Sequence, residues 1–196
     1  MGPAQQGYAT IADNLDDPWV QITASPKIID YMTTLTGVFP EATALLDAGL
    51  SAIAHLDVQP RNIFPMPLEN GGFETVAIDW ASIGYAPLGT DAALVIGSSM
   101  TWCNIDAAHG VRLHPEALEK YLIGLEDSGW NGDIGLVRLA YMTAAVSRAG
   151  GNAMFTTMWV NEPEWQPHTI KMMGKPAEVL VPHWRDVFDG MYPRCS

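Results

Sequence analysis

The sequence is poor in positive charge. Its 196 residues contain 10 Lys and Arg against 22 Asp and Glu, a formal net charge of −12. Because binding to nucleic-acid phosphates requires clustered Lys and Arg, this composition argues against a nucleic-acid partner. An acidic surface is better suited to a cationic or metal-bridged small molecule.

Cysteines and long apolar runs are also scarce. The two cysteines, Cys103 and Cys195, lie far apart and match no metal-ligand spacing, which excludes a disulfide framework and favours a reducing compartment. The most apolar stretch, residues 92–97, is far too short to span a bilayer. Residues 1–6 lack the basic and apolar regions of a signal peptide. We therefore expect a cytoplasmic protein without a membrane partner.

The residues that are present predict a globular, mainly helical chain. Hydrophobic types make up 48% of the sequence and include seven Trp, enough for a normal core. Residues 1–24 are polar and weakly patterned, which predicts a lead-in or linker. Apolar spacing of three to four residues predicts two short helices within 25–48 and further helices from Asp91 onward. Thr90 is expected to cap the first of these, Gly150 and Gly151 to end a later one, and a Pro-interrupted helix to come last.

Between these helical regions the pattern changes to that of strands. Residues 62–64 and 73–78 read as short strands, and residues 65–72 between them are a Pro, Asn and Gly turn cluster. An irregular loop is expected after Asp79, through Gly84, Pro87 and Gly89. The prediction is an α+β fold, mainly α-helical, from which a small β-hairpin projects.

One segment carries a pattern with chemical meaning. It reads His55-Leu56-Asp57-Val58-Gln59-Pro60-Arg61-Asn62 and is followed, at the end of the second predicted strand, by Ile78-Asp79-Trp80. Phosphoryl transfer from a nucleotide requires a carboxylate that orients a hydroxyl and accepts its proton, and oxygen ligands that hold Mg²⁺ on the phosphates. A loop with Asp57 and Asn62, beside a strand ending at Asp79, can supply both.

Other chemistries have weaker support in the sequence. No G-x-S-x-G elbow accompanies the serines, and Ser51, His55 and Asp57 make no convincing hydrolase triad. His109 and His114 are five residues apart, which is not the spacing of a helical zinc pair. The tryptophans, among them Trp80, Trp102 and Trp184, are expected to serve core or groove packing.

At these residues the chain resembles the aminoglycoside phosphotransferase-like family, the small-molecule branch of the protein-kinase fold. The resemblance runs through 55–62, 78–80 and Gly89-Thr90-Asp91, and later helices at 121–125 and 137–139 are in keeping with it. It covers the C-terminal lobe of that fold, roughly residues 25–190, so that 25–196 would form one kinase-like C-terminal lobe.

The resemblance implies a role for each motif residue. Asp57 would be the catalytic base, and Asn62 and Asp79 would be the Mg²⁺ ligands. His55 would brace the loop, and Asp91 would hydrogen-bond the loop's backbone from the start of the next helix. The implied activity is an ATP-dependent phosphotransferase, or small-molecule kinase, with Mg²⁺ as cofactor and ATP as co-substrate. The acceptor would be a small-molecule hydroxyl compound, and the net charge suits a cationic one. The choice between ATP and GTP stays open.

The sequence departs from the family's pattern in two places. Gln59 stands where relatives often carry a basic or imidazole side chain near the transferred phosphate, and Arg61 follows two positions later, so both are candidate phosphate contacts. No G-x-G-x-x-G precedes the loop, and Lys27 is the only Lys among the first 119 residues. The nucleotide-covering N-terminal lobe is therefore expected to be absent, either because the chain is a fragment or short form or because that lobe comes from elsewhere.

These departures motivate a second hypothesis of another class. The chain would then be a catalytically inactive remnant of the lobe that serves as a binding or interaction module. Under either hypothesis, a lobe without its usual neighbour should expose apolar surface and is expected to self-associate.

Overall fold

The fold is α+β and mostly helical. A computed structural model describes residues 50–191 and the single positions 13, 16 and 18, without the side chains of 149–150, 153–158, 160 and 161. The helices predicted within 25–48 and most of the 1–24 lead-in lie outside these residues. The described elements are β1 (Ser51–Ala54), β2 (Ile63–Pro67), β3 (Phe73–Ala77), a 3-10 turn (Trp80–Ser82), β4 (Gly84–Pro87), α1 (Thr90–Thr101), α2 (Ala107–Asp127), α3 (Ile134–Asn161), α4 (Gln166–Met173) and α5 (Ala177–Met191).

The strands form two small antiparallel pairs. The predicted hairpin is present as β2 and β3, with Ile63 opposite Ala77 and Pro67 opposite Phe73. The second pair joins β1 to β4, with Ser51 opposite Pro87 and Ala54 opposite Gly84. The prediction of an irregular loop after Asp79 was therefore wrong for 84–87. This segment is strand because β1, over thirty residues earlier, supplies its hydrogen-bonding partner, a pairing that short-range turn signals do not reveal.

The helices pack around α1. This helix contacts α3 and α2, and α5 packs against both α2 and α3. One core cluster joins Ala93, Leu118 and Tyr141, and another joins Ile96, Met100 and Val187. The Pro-containing last helix is present as α5, which buries Leu180, Val181, Trp184, Val187 and Phe188. The core thus holds α1 from three sides, and α1 begins beside the predicted site.

Two helix boundaries differ from the predicted ones. Helix α1 includes Thr90, and its N-cap is Gly89, whose φ of 91° favours glycine. A Cβ at Gly89 would also lie 3.3 Å from the Val137 carbonyl oxygen of α3. Helix α3 continues through Gly150 and Gly151 to Asn161. Beyond those glycines, the buried Thr101 hydroxyl and the Asn152 side-chain oxygen lie 2.7 Å apart, so a tertiary contact outweighs the low helix propensity of glycine.

His114 makes the stability of this core depend on pH. The Tyr141 hydroxyl donates to the His114 carbonyl oxygen (3.1 Å), so the ring Nδ1, 2.8 Å from that hydroxyl, must carry the imidazole proton. Nε2 is buried without a partner among the described residues, and burial lowers the pKa of His114 to about 4. The unfolded chain therefore takes up this proton first as the pH falls.

We expect the free energy of unfolding to fall by about 3 kcal/mol through His114 as the pH decreases from 6.5 to 4. The cause is that the pKa of His114 is lower in the folded than in the unfolded chain. Stability from this source is complete above pH 6.5 and falls as the pH decreases towards 4. Urea unfolding at several pH values measures it by comparison with His114→Gln, which should show a shallower acid loss. The exposed His109 on the same helix is the control, and an equally shallow loss in His109→Gln would contradict the assignment.

Candidate active site

The 55–62 loop connects the two strand pairs. It leaves β1 at Ala54 and enters β2 at Ile63, so both of its ends are held by sheet hydrogen bonds. Within it, the amide of Gln59 donates to the Asp57 carbonyl (2.9 Å) and that of Asn62 to the Gln59 carbonyl (2.8 Å). The loop is thus a folded turn, and its side chains are held in defined directions.

His55 ties this loop to the end of the hairpin. Its side chain is 2% exposed, its Nδ1 accepts from the Asp57 amide (3.2 Å), and its Nε2 lies 2.8 Å from the Ile78 carbonyl oxygen. A backbone amide can only donate and a carbonyl can only accept, so the ring is neutral with its proton on Nε2. The Trp80 ring covers it at 4.7 Å between centroids. These contacts connect the backbone of Asp57 to that of Ile78, the residue before Asp79, through one imidazole.

Asp91 holds the loop from the helix side. Its carboxylate lies in the first turn of α1 and accepts from the amides of His55 (2.7 Å) and Leu56 (3.0 Å). The contact that the resemblance implied is therefore present in the structure. Because α1 is embedded in the core, these hydrogen bonds fix the loop relative to the helical body.

Asp57 and Asn62 form one hydrogen-bonded unit. The Asn62 Nδ2 donates to the Asp57 backbone oxygen (2.9 Å) and to the Asp57 Oδ2 (3.0 Å). The side-chain amide of Gln59 donates to the Asp57 Oδ1. Asn62 is only 4% exposed, and both hydrogens of its amide are used. Its Oδ1 has no hydrogen-bond partner in the part of the chain that the structure describes. The amide is thus oriented with an oxygen left to accept.

Asp79 lies next to Asn62 across the hairpin. The Ile78 amide donates to the Asn62 carbonyl (2.9 Å), which continues the β2–β3 pairing up to the residue before Asp79. The exposed Asp79 carboxylate has no hydrogen-bond partner among residues 50–191. Asp57 is therefore hydrogen-bonded to Asn62, and the backbone of Asp79 follows directly after the residue that pairs with Asn62.

Backbone strain is concentrated around this place. Three non-glycine residues of the described chain have positive φ, namely Leu56 at 63°, Asp79 at 61° and Cys103 at 53°. Leu56 immediately precedes Asp57, and Asp79 is itself a motif residue. A left-handed conformation at a non-glycine residue costs roughly 1–3 kcal/mol and is often retained at functional sites. The strain thus marks the same region that the motif marks.

Two residues that approach the loop, Trp102 after α1 and Arg148 of α3, were not predicted as site residues. The Arg61 guanidinium lies 5.4 Å from the centre of the Trp102 ring, a cation–π contact. Arg148 of α3 is largely buried, and burial lowers its pKa while the nearby Asp57 carboxylate opposes that shift. Neither residue carries a sequence signal, because both reach the loop only through the packing of α1 and α3.

A cavity of about 260 Å³ opens beside the loop. It is lined by Gln59, Pro60 and Arg61, by Trp102 and Asn104 after α1, and by Met172 and Met173 of α4. Since Gln59 also donates to Asp57, the cavity begins one side chain away from the predicted base. A second cavity, of about 520 Å³, lies between the end of α2 and the start of α3 and shares no lining residue with the loop.

The chain was compared with protein-family models, with curated proteins and with solved structures, and none of these comparisons gives a match.

No helix within 50–191 is both long and apolar enough to cross a membrane. The described residues also contain no group of three or more His, Cys, Asp or Glu side chains that could hold a metal ion. The Asn62 and Asp79 pair is a smaller set, of one amide and one carboxylate.

Proposed function

We propose that this protein is an ATP-dependent phosphotransferase that acts on the hydroxyl group of a small molecule. The observation that carries the proposal is the hydrogen-bonded unit of Asp57 and Asn62 placed next to Asp79 across the hairpin. A carboxylate base beside two oxygen donors is what transfer from a metal-bound triphosphate requires. On this proposal the helical body is the C-terminal lobe of a kinase-like fold.

Asp57 is the base in this proposal. Its two carboxylate oxygens accept from Gln59 and Asn62, which fix the plane of the group and leave its remaining lone pairs for a substrate hydroxyl. The acceptor oxygen forms a bond to the γ-phosphorus, its proton passes to Asp57, and the bond from the γ-phosphorus to the bridging oxygen breaks to release ADP. His55 and Asp91 act on this step only by holding the loop.

Asn62 and Asp79 are the residues that would hold Mg²⁺. Both supply oxygen donors, the ligand type that this ion prefers, and the Asn62 amide is turned so that its oxygen is the atom left to bind. Two protein ligands are enough where the phosphates and water complete the set. When bound, Mg²⁺ would neutralise charge on the phosphates.

The hairpin offers an apolar surface beside these ligands. Strand alternation places Phe64, Met66, Val76 and Ile78 on one face, with Glu74 opposite Met66 at the end near the hairpin turn, and Phe64 and Ile78 are 41% and 47% exposed. A half-exposed apolar face next to two oxygen donors suits a nucleobase at one end and phosphates at the other. This favours a nucleotide over inorganic polyphosphate as the donor.

Asp79→Asn tests the metal role without changing the size of the side chain. We expect it to weaken Mg²⁺-dependent ATP binding by about tenfold or more, because a neutral amide is a poorer ligand for Mg²⁺ than a carboxylate. Calorimetric titration of the 196-residue chain with ATP, with and without Mg²⁺, measures the effect. The exposed Glu116 of α2, far from the hairpin in sequence, is the control, and equal affinities for Asp79→Asn, Glu116→Gln and the parent chain would contradict the metal site.

A second candidate function is that of an inactive remnant that binds a partner. It is favoured by the absence of Lys among residues 50–119, because relatives of the proposed kind use a Lys on the phosphates. The same titration separates the two candidates. Tight Mg²⁺-dependent ATP binding or phosphoryl transfer supports the enzyme, whereas a chain with neither supports the remnant.

A further inference from the structure

The 260 Å³ cavity beside the loop has the size and position of a substrate site. It lies slightly below the range of about 300–1,000 Å³ that holds drug-sized ligands, so it fits a small molecule. Gln59 forms part of its wall, and the Gln59 side-chain amide donates to the Asp57 carboxylate. A hydroxyl group at the loop end of this cavity would be near the carboxylate proposed as the base.

The lining of this cavity combines two side-chain amides, an apolar part and one positive charge. Trp102, Met172 and Met173 supply an aromatic ring and two thioethers, and Arg61 is the one charged side chain among the described residues that line it. The Arg61 guanidinium is held over the Trp102 ring. Lys175 adds a further positive charge nearby, since its electrostatic effect reaches Cys103, next to Trp102. A cation in this cavity would meet positive charge in a protein that is otherwise strongly acidic.

Two independent features mark the same wall of the cavity. Cys103, between the lining residues Trp102 and Asn104, is the third non-glycine residue with positive φ. The indole N–H of Trp102 is buried and has no acceptor among the residues that the structure describes. Strained backbone and an unsatisfied buried donor both carry a cost that ordinary packing avoids.

We propose that this cavity binds the phosphate acceptor, and that the acceptor is a small hydroxy acid with an apolar or aromatic body. The carboxylate would pair with Arg61, the apolar body would contact Trp102 and the methionines, and the hydroxyl would face Asp57. The part of this proposal that names the acceptor rests on the proposed function. It differs from the cationic acceptor that net charge alone favours.

Three compounds that share a phenyl ring and a benzylic hydroxyl test the charge preference. Mandelate is an anion, phenylethanediol is neutral, and phenylethanolamine is a cation at neutral pH. Calorimetric titration of each into the 196-residue chain, without nucleotide or Mg²⁺, should show that mandelate binds at least tenfold more tightly than phenylethanolamine, with the diol between them. Tighter binding of the cation, or binding of none of the three at millimolar concentration, would overturn the proposal.

Two variants locate this binding in the cavity. Arg61→Gln should bring mandelate to about the affinity of the diol, and Met172→Glu, at a partly exposed position, should reverse the preference in favour of the cation. The exposed Arg112 of α2 is the matched control, and Arg112→Gln should change nothing. An unchanged mandelate affinity in both cavity variants would place the binding elsewhere.

A phosphorylation assay tests the acceptor role separately from binding. Mandelate that binds as expected should be phosphorylated in the presence of ATP and Mg²⁺, whereas binding without transfer, in a chain that does bind Mg²⁺-ATP, would remove the acceptor assignment. The binding assay contains no nucleotide, so its failure would overturn only the acceptor proposal. The proposed phosphotransferase function is tested separately, by the Mg²⁺-ATP titration of Asp79→Asn.

Discussion

Asp57→Asn should lower the turnover of phosphoryl transfer by at least 10²- to 10⁴-fold, the range that a general base typically contributes. The amide keeps the size of the side chain but cannot take the acceptor's proton. Mg²⁺-dependent ATP binding should persist, since the proposed ligands are Asn62 and Asp79. Steady-state transfer of the γ-phosphate, measured beside calorimetric ATP binding, gives the two quantities separately.

A change of this kind also affects the loop itself. An Asn at position 57 can accept from Gln59 or from Asn62 through its one carbonyl oxygen, and its amide then faces the other donor. A modest loss of stability is therefore expected and is measured by urea unfolding. Glu69→Gln makes the same chemical change on an exposed carboxylate in the hairpin turn and should leave turnover intact. Turnover within a few-fold of the parent chain in Asp57→Asn would remove Asp57 as the base.

The parts of the fold that the sequence predicted are those with local signals. The hairpin follows from a turn cluster between two β-prone runs, and the helix Ala177–Met191 follows from its apolar spacing. The strand at 84–87 was missed because its pairing partner within the described residues is β1, which lies about thirty residues earlier. The helix through Gly150 and Gly151 was cut short because its support comes from packing on α1. In both cases a contact distant in sequence outweighed the local preference.

The candidate site divides in the same way. The loop and the hairpin are consecutive in sequence, so the sequence could predict that they lie close together. They carry His55, Asp57, Asn62 and Asp79. Arg61 and Trp102 meet only because the turn after α1 passes over the loop, and Met172 comes from a helix more than a hundred residues later. Such a cavity has no sequence pattern. The residues proposed to react could therefore be predicted from the sequence, whereas the lining and charge of the proposed acceptor cavity could not.

Asp91→Ala should cost about 2–4 kcal/mol of stability and also reduce turnover by about tenfold or more. The carboxylate accepts from two amides of the loop, and its removal leaves both without their acceptor. Asp91→Asn, which keeps one carbonyl oxygen, should lose roughly half as much stability. Urea unfolding measures the first effect, and kcat at a temperature where every variant is folded measures the second.

The control must separate positioning of the loop from general loss of stability. Asp133 caps α3 by accepting from the amides of Gly135 and Leu136 and lies outside the loop, so Asp133→Ala should destabilise the chain by about 1 kcal/mol and leave kcat unchanged. In Asp91→Ala, by contrast, kcat should fall while Mg²⁺-dependent ATP affinity changes little. Asp91 holds the His55–Leu56 end of the loop, next to Asp57, whereas Asn62 is held at the other end by the hairpin. If kcat of Asp91→Ala matches that of Asp133→Ala under folded conditions, Asp91 supports only the fold, and the rigid attachment of the loop to α1 has no part in catalysis.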